Sequence, residues 1–583
     1  MKALPYGLSD FPRIRCEDYY YVDKTRFIEM LERQPPYLFL IRPRRFGKSL
    51  FLAMLEAYYS IDYAGRFEEL FGELYIGQHP TKRHNSYMVL RFNFSEVSSK
   101  LEFVERSFCE YCCMVMKNFI LKYEHLLGSG IWEVVNPDET NPEQMLAALK
   151  EYVSRTDCPR IYLLIDEYDN FTNTILSSYG QERYREKTHG EGFIRGFFNN
   201  IKDSTSNAGA AVERLFITGV SPITMDDVTS GFNIGTNISM MPQFNDIIGF
   251  SEDEVREMIT YYKDENALPE DVTVDRLVEL MKPWYDNYCF ARKSLDDDRV
   301  FNCDMTLYYL RWQVDFHRAP EEMVDKNIRT DYSKLKMLAR IDRDSVQEGD
   351  RMSTIEKIAA EGDIFVDLHT SFPAERITDI DNFRSLLYYY GLLTMCGTRG
   401  DLIKMSIPNN CVREQYFGFL RDYYQKYSSI DLHYLNVMLT DMAYDGRWKP
   451  FFESVAQAYR ENSAVRDAME GERNLQGFLK AYLALASYYL VEPELEMNYG
   501  YCDFFLLPDK KRYPDVKHSY ILELKYATRT ATDAELEVQA LEGRNQLLQY
   551  CEDKIVRCLS EGTTLHRLLL QFRGWDLVRC EEV

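Results

Sequence analysis

Two sets of residues in this sequence carry side chains that suit phosphate chemistry. The first combines a Gly-Lys-Ser tripeptide at 47–49 with an Asp-Glu pair at 166–167, and the second combines Asp503 with Glu-Leu-Lys at 523–525. A lysine and a hydroxyl beside a glycine suit the binding of phosphates and Mg²⁺. Carboxylates beside a lysine suit metal-assisted hydrolysis of a phosphodiester. The sequence therefore offers one candidate site for a nucleoside triphosphate and another for a nucleic-acid backbone.

The Gly-Lys-Ser tripeptide lies between a strand pattern and a helix pattern. The preceding segment YLFLIRP (37–43) is continuously apolar, and SLFLAMLEAYYS (49–60) has helical periodicity. A strand, a loop and a helix in this order form the Walker A arrangement, whose backbone N–H groups cradle phosphates. We expect ATP or another NTP here, with Lys48 on the terminal phosphates and Ser49 on Mg²⁺.

The loop departs from the full Walker A pattern at its first position. That pattern reads G-x-x-x-x-G-K-S/T, whereas this loop reads R-P-R-R-F-G-K-S, with Arg42 in place of the first glycine. Arginine adopts unusual backbone angles less readily than glycine, so the turn must differ. The pattern favours nucleotide binding over rapid hydrolysis, and a structural role for so short a motif stays open. The loop residues predicted to bind nucleotide are Arg42, Arg44, Arg45, Phe46, Gly47, Lys48 and Ser49.

Two further strand patterns end in polar residues that complete the nucleotide site. RIYLLIDEYDNF (160–171) reads as a buried strand ending in acids, and RLFITGVSPIT (214–224) reads as another strand. Strands alternating with helices predict a parallel sheet, and ligands bind beyond the carboxyl ends of its strands. We expect Asp166 to hold Mg²⁺ through water, Glu167 to orient the attacking water, and Thr218 to sense the γ-phosphate.

The carboxyl-terminal cluster predicts a second metal site. Asp503 lies in the strand pattern YCDFFLLP (501–508), and Glu523 and Lys525 lie in SYILELKYA (519–527). Residues two apart in a strand share a face, so the glutamate and the lysine point the same way. The carboxylates would bind one or two Mg²⁺ ions, and the lysine would position or deprotonate the water.

The same cluster has a structural interpretation. E-x-K in a strand is also typical of a solvated surface charge pair, although the apolar flanks here make a surface strand a poor fit, because burying charges without a partner is costly. Gln546 and Tyr550 on the following helix either complete the site or belong to an ordinary helix surface. Both interpretations stay open from the residues alone.

The composition of the chain restricts which binding partners and which cellular compartment we expect. The formal net charge of −23 argues against a surface coated for nucleic acid, so any DNA contact must be local. No apolar run approaches the ~20 residues that a membrane span needs, and the N-terminus lacks the apolar stretch of a signal peptide. The 13 cysteines are irregularly spaced and suggest no disulfide framework. We therefore predict a cytoplasmic protein without a membrane partner.

Several further blocks of the chain have a recognisable sequence. They are LPYGLSDFPRIRCEDYYYVDKT, FLIRPRRFGKSLFLAML, LLIDEYDNF, FITGVSPITMDDVTSGFNIGTNIS, WYDNYCF, VFNCDMTLYYL, LLYYYGLLTM and IPNN. Together these blocks resemble a known bacterial family, which joins an AAA-ATPase-like domain to a C-terminal PD-(D/E)xK nuclease-like domain. The resemblance runs through almost the whole chain. Two positions depart from the family pattern, since Asn287 stands where glycine is usual and Cys303 where proline is usual.

In the nuclease region, Glu496, Asp503, Glu523 and Lys525 fall on the family's E…D…ExK positions. The family usually has arginine two residues before the aspartate, whereas this chain reads Gly-Tyr-Cys-Asp at 500–503. The resemblance implies that the first three acids are metal ligands. It leaves catalysis open, because PD-(D/E)xK domains often lose activity while they keep the fold.

The resemblance and the element pattern predict the α/β fold class with a P-loop NTPase parallel-sheet core, a helical middle region and a C-terminal restriction-endonuclease-like α/β domain. The predicted bounds are 1–250 for the AAA-ATPase-like P-loop NTPase domain with its N-terminal extension, 251–345 for a helical lid-like domain, 346–470 for a mixed, mostly helical connector and 471–583 for the nuclease-like domain. A homo-oligomer is compatible with the resemblance, because AAA-like proteins often form rings.

These features lead to two hypotheses of different classes. In the first, ATP binding or hydrolysis by the N-terminal domain controls a Mg²⁺-dependent nuclease that acts on DNA. In the second, the chain is a nucleotide-dependent switch or a nucleic-acid-binding module whose nuclease fold is catalytically inactive. Such control requires two states that differ in nucleotide affinity.

Overall fold

The computed structural model describes most of the chain, which divides into two compact units. One unit comprises residues 1–345 and 365–409, and the other comprises 346–364 and 410–583. The described residues are 1–171, 175, 193–203, 210–223, 235–297, 299–325, 335, 338–339, 348–373, 376–377, 379–425, 430–461, 472–486, 488–497, 500–510 and 512–583.

Helices and strands are interspersed along the chain. The helices are α1 (Phe11–Cys16), α2 (Phe27–Glu32), α3 (Lys48–Tyr59), α4 (Phe67–Phe71), α5 (Tyr75–Gln78), α6 (Val104–Lys122), α7 (Glu124–Leu127), α8 (Ile131–Val134), α9 (Pro142–Arg155), α10 (Phe193–Asp203), α11 (Glu252–Asp264), α12 (Val274–Tyr285), α13 (Cys303–Phe316), α14 (Glu348–Glu361), α15 (Ile380–Tyr389), α16 (Asn410–Tyr424), α17 (Leu432–Asp445), α18 (Lys449–Glu461), α19 (Glu472–Leu483), α20 (Asp533–Tyr550) and α21 (Lys554–Leu559). The strands are β1 (Tyr37–Ile41), β2 (Met88–Asn93), β3 (Ile161–Asp166), β4 (Val212–Gly219), β5 (Thr236–Asn237), β6 (Asp363–Val366), β7 (Thr394–Arg399), β8 (Leu402–Ser406), β9 (Tyr489–Met497), β10 (Gly500–Pro508), β11 (His518–Ala527), β12 (Thr564–Arg573) and β13 (Asp576–Glu582).

The N-terminal unit is built on a five-stranded parallel sheet in the order β2-β3-β4-β1-β5. Strands β1 and β3 are apolar and buried along their whole length, because helices cover both faces of such sheets. Strand β4 lies between them, and Thr218 pairs in register with Leu40. Thr218, one residue before the end of β4, therefore lies between the phosphate loop after β1 and the acids after β3.

The C-terminal unit contains a second five-stranded sheet in the order β13-β12-β11-β10-β9. Strands β11 and β12 are parallel and the other pairs are antiparallel. The inner face of α20 packs on this sheet through a core that includes Cys502, Ile521, Ala540 and Leu547. The α/β class, with one parallel sheet and one mixed C-terminal sheet, is confirmed.

The segment YYYVDKTRFIEMLER (19–33) reads as a short strand followed by a helix that opens near Asp23. In the structure it forms only an isolated bridge at Tyr19, and helix α2 begins at Phe27. Its Asp23 carboxylate accepts hydrogen bonds from the N–H groups of Thr25 at 2.8 Å and Tyr75 at 2.7 Å, so side-chain bonding replaces strand pairing. Strands β9 and β13 were not predicted, because β13 (DLVRCEE) is polar and only partly buried.

Among the described residues, none of the helices has both the length and the apolar character required to cross a membrane.

Candidate functional site

The phosphate loop (42–49) turns through two residues with left-handed backbone angles. Arg45 has φ 68° and Gly47 has φ 93°. This conformation costs a non-glycine residue about 1–2 kcal/mol. The Cys303 thiol donates a hydrogen bond to the Arg45 carbonyl at 3.3 Å, which helps to hold the turn. The strain of this loop therefore lies at position 45 and not at position 42, where the first glycine of the pattern is missing.

Arg42 has a structural place in the fold. Its N–H extends the β1–β4 ladder to Gly219, and its buried guanidinium donates hydrogen bonds to the carbonyls of Ser239 and Phe244. The guanidinium also lies 4.2 Å from the ring centroid of Phe290. Burial lowers the pKa of Arg42 to about 10. Because both terminal nitrogens of its buried guanidinium donate to these carbonyls, we do not retain Arg42 as a nucleotide ligand.

The other predicted residues of the loop lie around its concave side. The Lys48 ammonium donates hydrogen bonds to the carbonyls of Arg42 at 3.2 Å and Pro43 at 3.0 Å, so it spans the turn. Arg44 donates to Asn170 at 2.7 Å, and Arg45 forms an ion pair with Asp304 at 3.0 Å. Lys48 and the α3 N-terminus are thus arranged as phosphate binding requires, whereas both arginines have protein partners.

Phe46 and Ser49 complete the loop. The buried Phe46 ring packs edge-on against Tyr288 and Phe290, with centroid distances of 4.8 and 5.4 Å, and so anchors the turn. Ser49 is the second residue of α3, and its carbonyl accepts a hydrogen bond from Arg91 at 3.4 Å.

Asp166 ends β3 as a buried carboxylate with one oxygen in need of a partner. Its Oδ1 accepts a hydrogen bond from the Thr218 hydroxyl at 2.8 Å. Its Oδ2 accepts no hydrogen bond from any described residue, and the nearest cation is Arg91 at 3.8 Å. A buried carboxylate oxygen in this state is costly, and oxygen is the ligand that Mg²⁺ prefers. The site therefore fits a cation held by Asp166 and Ser49.

Two acids follow Asp166. Glu167 has a left-handed φ of 53° and lines the same cavity as the loop. Asp169 is fully buried and accepts hydrogen bonds from the N–H groups of Val220 at 3.2 Å and Ser221 at 2.6 Å. Asp169 was not predicted as a residue of this site, although the sequence shows an acidic residue at this position in the segment after the strand. It fixes the chain that leaves β4 beside Thr218.

A cavity of about 290 Å³ opens beside the phosphate loop. One side is formed by residues 45–51 and Glu167. The opposite side is largely apolar and aromatic, and part of it comes from the N-terminal segment that sequence reasoning left without a role. The residues of that side are Pro5, Gly7, Leu8, Ser9, Tyr20, Tyr21, Val22, Lys24, Ile248, Gly249, Phe250, Met258, Cys303, Asp304 and Leu307.

A buried ion pair fastens the N-terminal segment to α11. The Lys24 ammonium lies 2.6 Å from the Glu254 carboxylate and donates to the Asp246 carbonyl at 2.9 Å. Glu254 also closes the capping box of α11 with Ser251. Burial lowers the pKa of Lys24, and Glu254 opposes this effect. The wall of the cavity is therefore tied to the helix that opens the helical region.

Asp503, Glu523 and Lys525 converge in the C-terminal sheet. Asp503 on β10 accepts a hydrogen bond from the N–H of Leu524 at 2.7 Å, which locks the two neighbouring strands. The Lys525 ammonium donates to Glu523 Oε1 at 2.8 Å. Glu523 is 3 % exposed, and its Oε2 has no hydrogen-bond partner among the described residues. The E-x-K sequence is therefore a buried cluster here and not a solvated pair.

The electrostatics of this cluster favour a bound cation. Burial raises the pKa of Glu523 to about 7, with a further contribution from the Asp503 charge, whereas Lys525 lowers it. Two carboxylates that repel each other fit a divalent ion, which relieves the repulsion. Within the described part of the chain, no group of three or more His, Cys, Asp and Glu side chains is arranged to hold a metal. Glu496 pairs through its backbone with Tyr501, and its side chain lies outside the described residues.

Two helices complete the surroundings of the cluster. On α19, Gln476 donates to Asp503 Oδ1 at 3.0 Å, and Glu472, one turn earlier, raises the pKa of Glu523. On α20, Gln546 Oε1 is buried without a hydrogen-bond partner among the described residues, and burial with the Glu523 charge raises the pKa of Tyr550. Sequence reasoning named the pair on α20 and missed the pair on α19, whose spacing of four residues was the available signal.

Comparisons with known proteins agree with these two sites. Residues 5–229 match a family model described as a predicted AAA-ATPase, and residues 470–582 match that of the PD-(D/E)XK nuclease superfamily. A protein of Azotobacter chroococcum mcd 1, described as "Uncharacterized protein in vnfD 5'region", is 30 % identical to this chain over 299 residues. This match covers 50 % of this chain and 50 % of that protein, so the chain spans about half the length of the curated relative. The resemblance inferred from the sequence is confirmed for both domains.

Proposed function

Because this chain joins an AAA-ATPase-like domain to a PD-(D/E)XK nuclease-like domain, we propose that it is a nucleotide-regulated, Mg²⁺-dependent nuclease that acts on DNA. The observation that carries the proposal is the convergence of Asp503, Glu523 and Lys525, where Glu523 Oε2 is buried without a hydrogen-bond partner among the described residues. A fold kept only for recognition has no need to hold this repulsive pair of acids in its core.

In the proposed nucleotide site, Lys48 leaves the loop carbonyls for the terminal phosphates, and the α3 N–H groups hold the phosphate chain. Ser49 and Asp166 hold Mg²⁺, Glu167 orients the attacking water, and Thr218 contacts the γ-phosphate. The apolar side of the cavity suits a base and ribose, because such sites are largely apolar with a few polar groups. Arg44 and Arg45 contact phosphate only by exchanging their protein partners.

In the proposed nuclease site, Asp503, Glu523 and Glu496 hold Mg²⁺. When bound, Mg²⁺ polarises the phosphodiester and lowers the pKa of a water. Lys525, held by Glu523, positions this water and moves its proton. Gln476 keeps Asp503 directed at the cluster. The net charge of −23 keeps DNA contact local to this region and sensitive to salt.

The test follows cleavage of plasmid and linear DNA with and without Mg²⁺ and ATP. We expect wild-type protein to cut only with Mg²⁺, Lys525→Ala to lose cutting, and Lys48→Ala to lose its response to ATP. Lys554→Ala is the matched control, because Lys554 is exposed in the same domain. Identical products from wild type and Lys525→Ala would contradict the nuclease and leave the alternative, a nucleotide-dependent switch or a nucleic-acid-binding module.

The four-part division into 1–250, 251–345, 346–470 and 471–583 belongs to the same proposal, as does a cytoplasmic location. The middle parts would transmit the nucleotide state to the nuclease site. Limited proteolysis with and without ATP and Mg²⁺ tests the division, since we expect cleavage near the proposed bounds to change with nucleotide.

A further inference from the structure

The outer face of α20 carries an apolar stripe that the fold leaves exposed. Val538 and Leu541 are each 58 % exposed, and Leu548 is 47 % exposed. The inner face of the same helix already fills the core of the sheet through Leu536, Ala540, Gly543, Leu547 and Tyr550. An amphipathic helix of a globular domain normally has one apolar face. This helix has a second apolar stripe, which a packed single domain does not require.

The exposed stripe has the spacing of a coiled-coil seam. Its positions are Ala534, Val538, Leu541, Asn545 and Leu548, all exposed, with steps of four, three, four and three residues. In heptad notation, Val538 and Asn545 occupy a positions, and the alanine and both leucines occupy d positions. A β-branched residue at a with leucine at d favours a two-stranded parallel coiled coil.

Asn545 indicates which partner helix fits the exposed stripe of α20. An asparagine at one a position is satisfied when an identical asparagine faces it, and it then fixes the register of a parallel pair. In antiparallel packing a faces d, which would set this amide against an alanine or a leucine of the other helix. Among parallel registers, only the one that aligns two identical helices sets asparagine opposite asparagine. We therefore propose that the outer face of α20 docks in parallel and in register on the same face of a second copy of this chain.

The charges beside the stripe permit this pairing. In a parallel pair, Glu537 would face Glu542 of the second copy, a repulsive combination. Glu537 is, however, ion-paired with Arg579 of its own chain, and Arg544 is ion-paired with Glu581 at 2.7 Å. These intrachain pairs neutralise the charges of Glu537 and Arg544 along one flank of the seam. A two-fold axis then uses the same patch on both copies, so the assembly closes as a dimer.

The proposed seam covers only about two heptads, so the dimer is expected to dissociate on dilution. It would hold two nuclease-like domains side by side. The inference does not depend on catalysis at either site, because it rests on the outer face of α20 and not on the buried cluster.

The test is sedimentation equilibrium of the full chain without nucleotide or DNA. We expect the mass to rise with concentration from the chain mass of 68.8 kDa toward twice that value. Leu541→Glu should remain monomeric, because it places a charge in the seam. Leu121→Glu on α6 is the matched control, since Leu121 is 59 % exposed on another helix, and it should behave as wild type. Both side chains are exposed, so circular dichroism should show that both variants fold.

Asn545→Cys tests the register. Under mild oxidation it should form a disulfide-linked dimer that is absent from oxidised wild type and from Val437→Cys, a control at a residue with 45 % exposure on α17. A monomeric wild-type chain at every concentration would overturn the proposal. An oligomer that Leu541→Glu leaves unchanged would also overturn it, because another surface would then form the contact.

Discussion

In the described part of the chain, the phosphate-loop region and the C-terminal cluster each hold a buried carboxylate oxygen without a hydrogen-bond partner, but they balance charge in opposite ways. At the first, the oxygen of Asp166 lies in a region with nearby cations, Lys48 in the loop and Arg91 at 3.8 Å. At the second, Glu523 accepts a hydrogen bond from Lys525 and is repelled by the charge of Asp503. The first region therefore suits an anionic ligand that brings its own Mg²⁺, whereas the second suits a metal ion bound directly.

This difference in charge indicates which ligand each site depends on. A triphosphate binds the lysine of the loop and the N–H groups at the N-terminus of α3 at once, so nucleotide should dominate the first site. A divalent ion relieves carboxylate repulsion, so Mg²⁺ should dominate the second site even without nucleotide.

Replacing Lys525 should produce the largest change. Lys525→Ala removes the group proposed to move a proton, and such groups contribute about 100- to 10,000-fold to a rate. The initial rate of cleavage of labelled linear DNA in Mg²⁺ should fall by a factor in this range. Binding of the same DNA in Ca²⁺, measured by fluorescence anisotropy, should change far less. A rate equal to that of Lys554→Ala would place proton transfer elsewhere.

Removing Glu523 should abolish a pH dependence of stability. In the metal-free folded chain this carboxyl has a pKa of about 7, raised by burial and Asp503 from an ordinary value of 4.5. The folded state then binds more protons than the unfolded state between these values, so stability falls as the pH rises through this window, by about 3 kcal/mol at most. Glu523→Gln should melt at a higher temperature than wild type at pH 8 without Mg²⁺, and at a similar temperature at pH 4.5.

Glu356→Gln is the control that separates metal binding from burial. Burial also raises the pKa of Glu356 to about 7, but its carboxylate accepts a hydrogen bond from Tyr424 at 3.0 Å and belongs to no metal site proposed above. Both variants should flatten the pH dependence of stability. Only Glu523→Gln should lose the rise in melting temperature that Mg²⁺ gives wild type. An unchanged Mg²⁺ response in Glu523→Gln would remove this residue from the metal site.

The loop lysine should have a smaller effect, confined to the first region. Hydrogen bonds to charged groups contribute about 1.5–3 kcal/mol, so Lys48→Ala should weaken ATP binding roughly 10- to 100-fold. Calorimetric titration with ATP and Mg²⁺ measures this, with the exposed Lys82→Ala as the control. DNA cleavage in Mg²⁺ alone should remain. If Lys48→Ala also abolished that cleavage, the two regions would not be separable as described.

The sequence allowed the strands of both regions to be predicted, because β1, β3, β10 and β11 are apolar runs that end in or carry polar residues. It also allowed Lys48, Asp166, Asp503 and Glu523 to be singled out, since their types and spacing are unusual in such strands. Contacts between residues that are far apart in the sequence could not be predicted. The contact between Gln476 and Asp503 depends on how α19 packs, and the apolar wall beside the phosphate loop depends on where residues 5–22 fold back. A sequence pattern contains no such information.

Arg42 is the residue for which the sequence pattern was most misleading, and its substitution has the smallest expected effect. The loop pattern predicted Arg42 as a phosphate ligand. In the structure its guanidinium instead donates hydrogen bonds to the carbonyls of residues 239 and 244. Arg42→Met keeps much of the length and apolar contact but leaves these buried carbonyls unpaired, at a cost of about 1–3 kcal/mol. We expect a lower melting temperature with an ATP affinity close to that of wild type at a temperature where the variant is folded. A variant that melts like wild type but binds ATP poorly would instead return Arg42 to the phosphate site, and the missing glycine of the loop would then be explained by chemistry and not by packing.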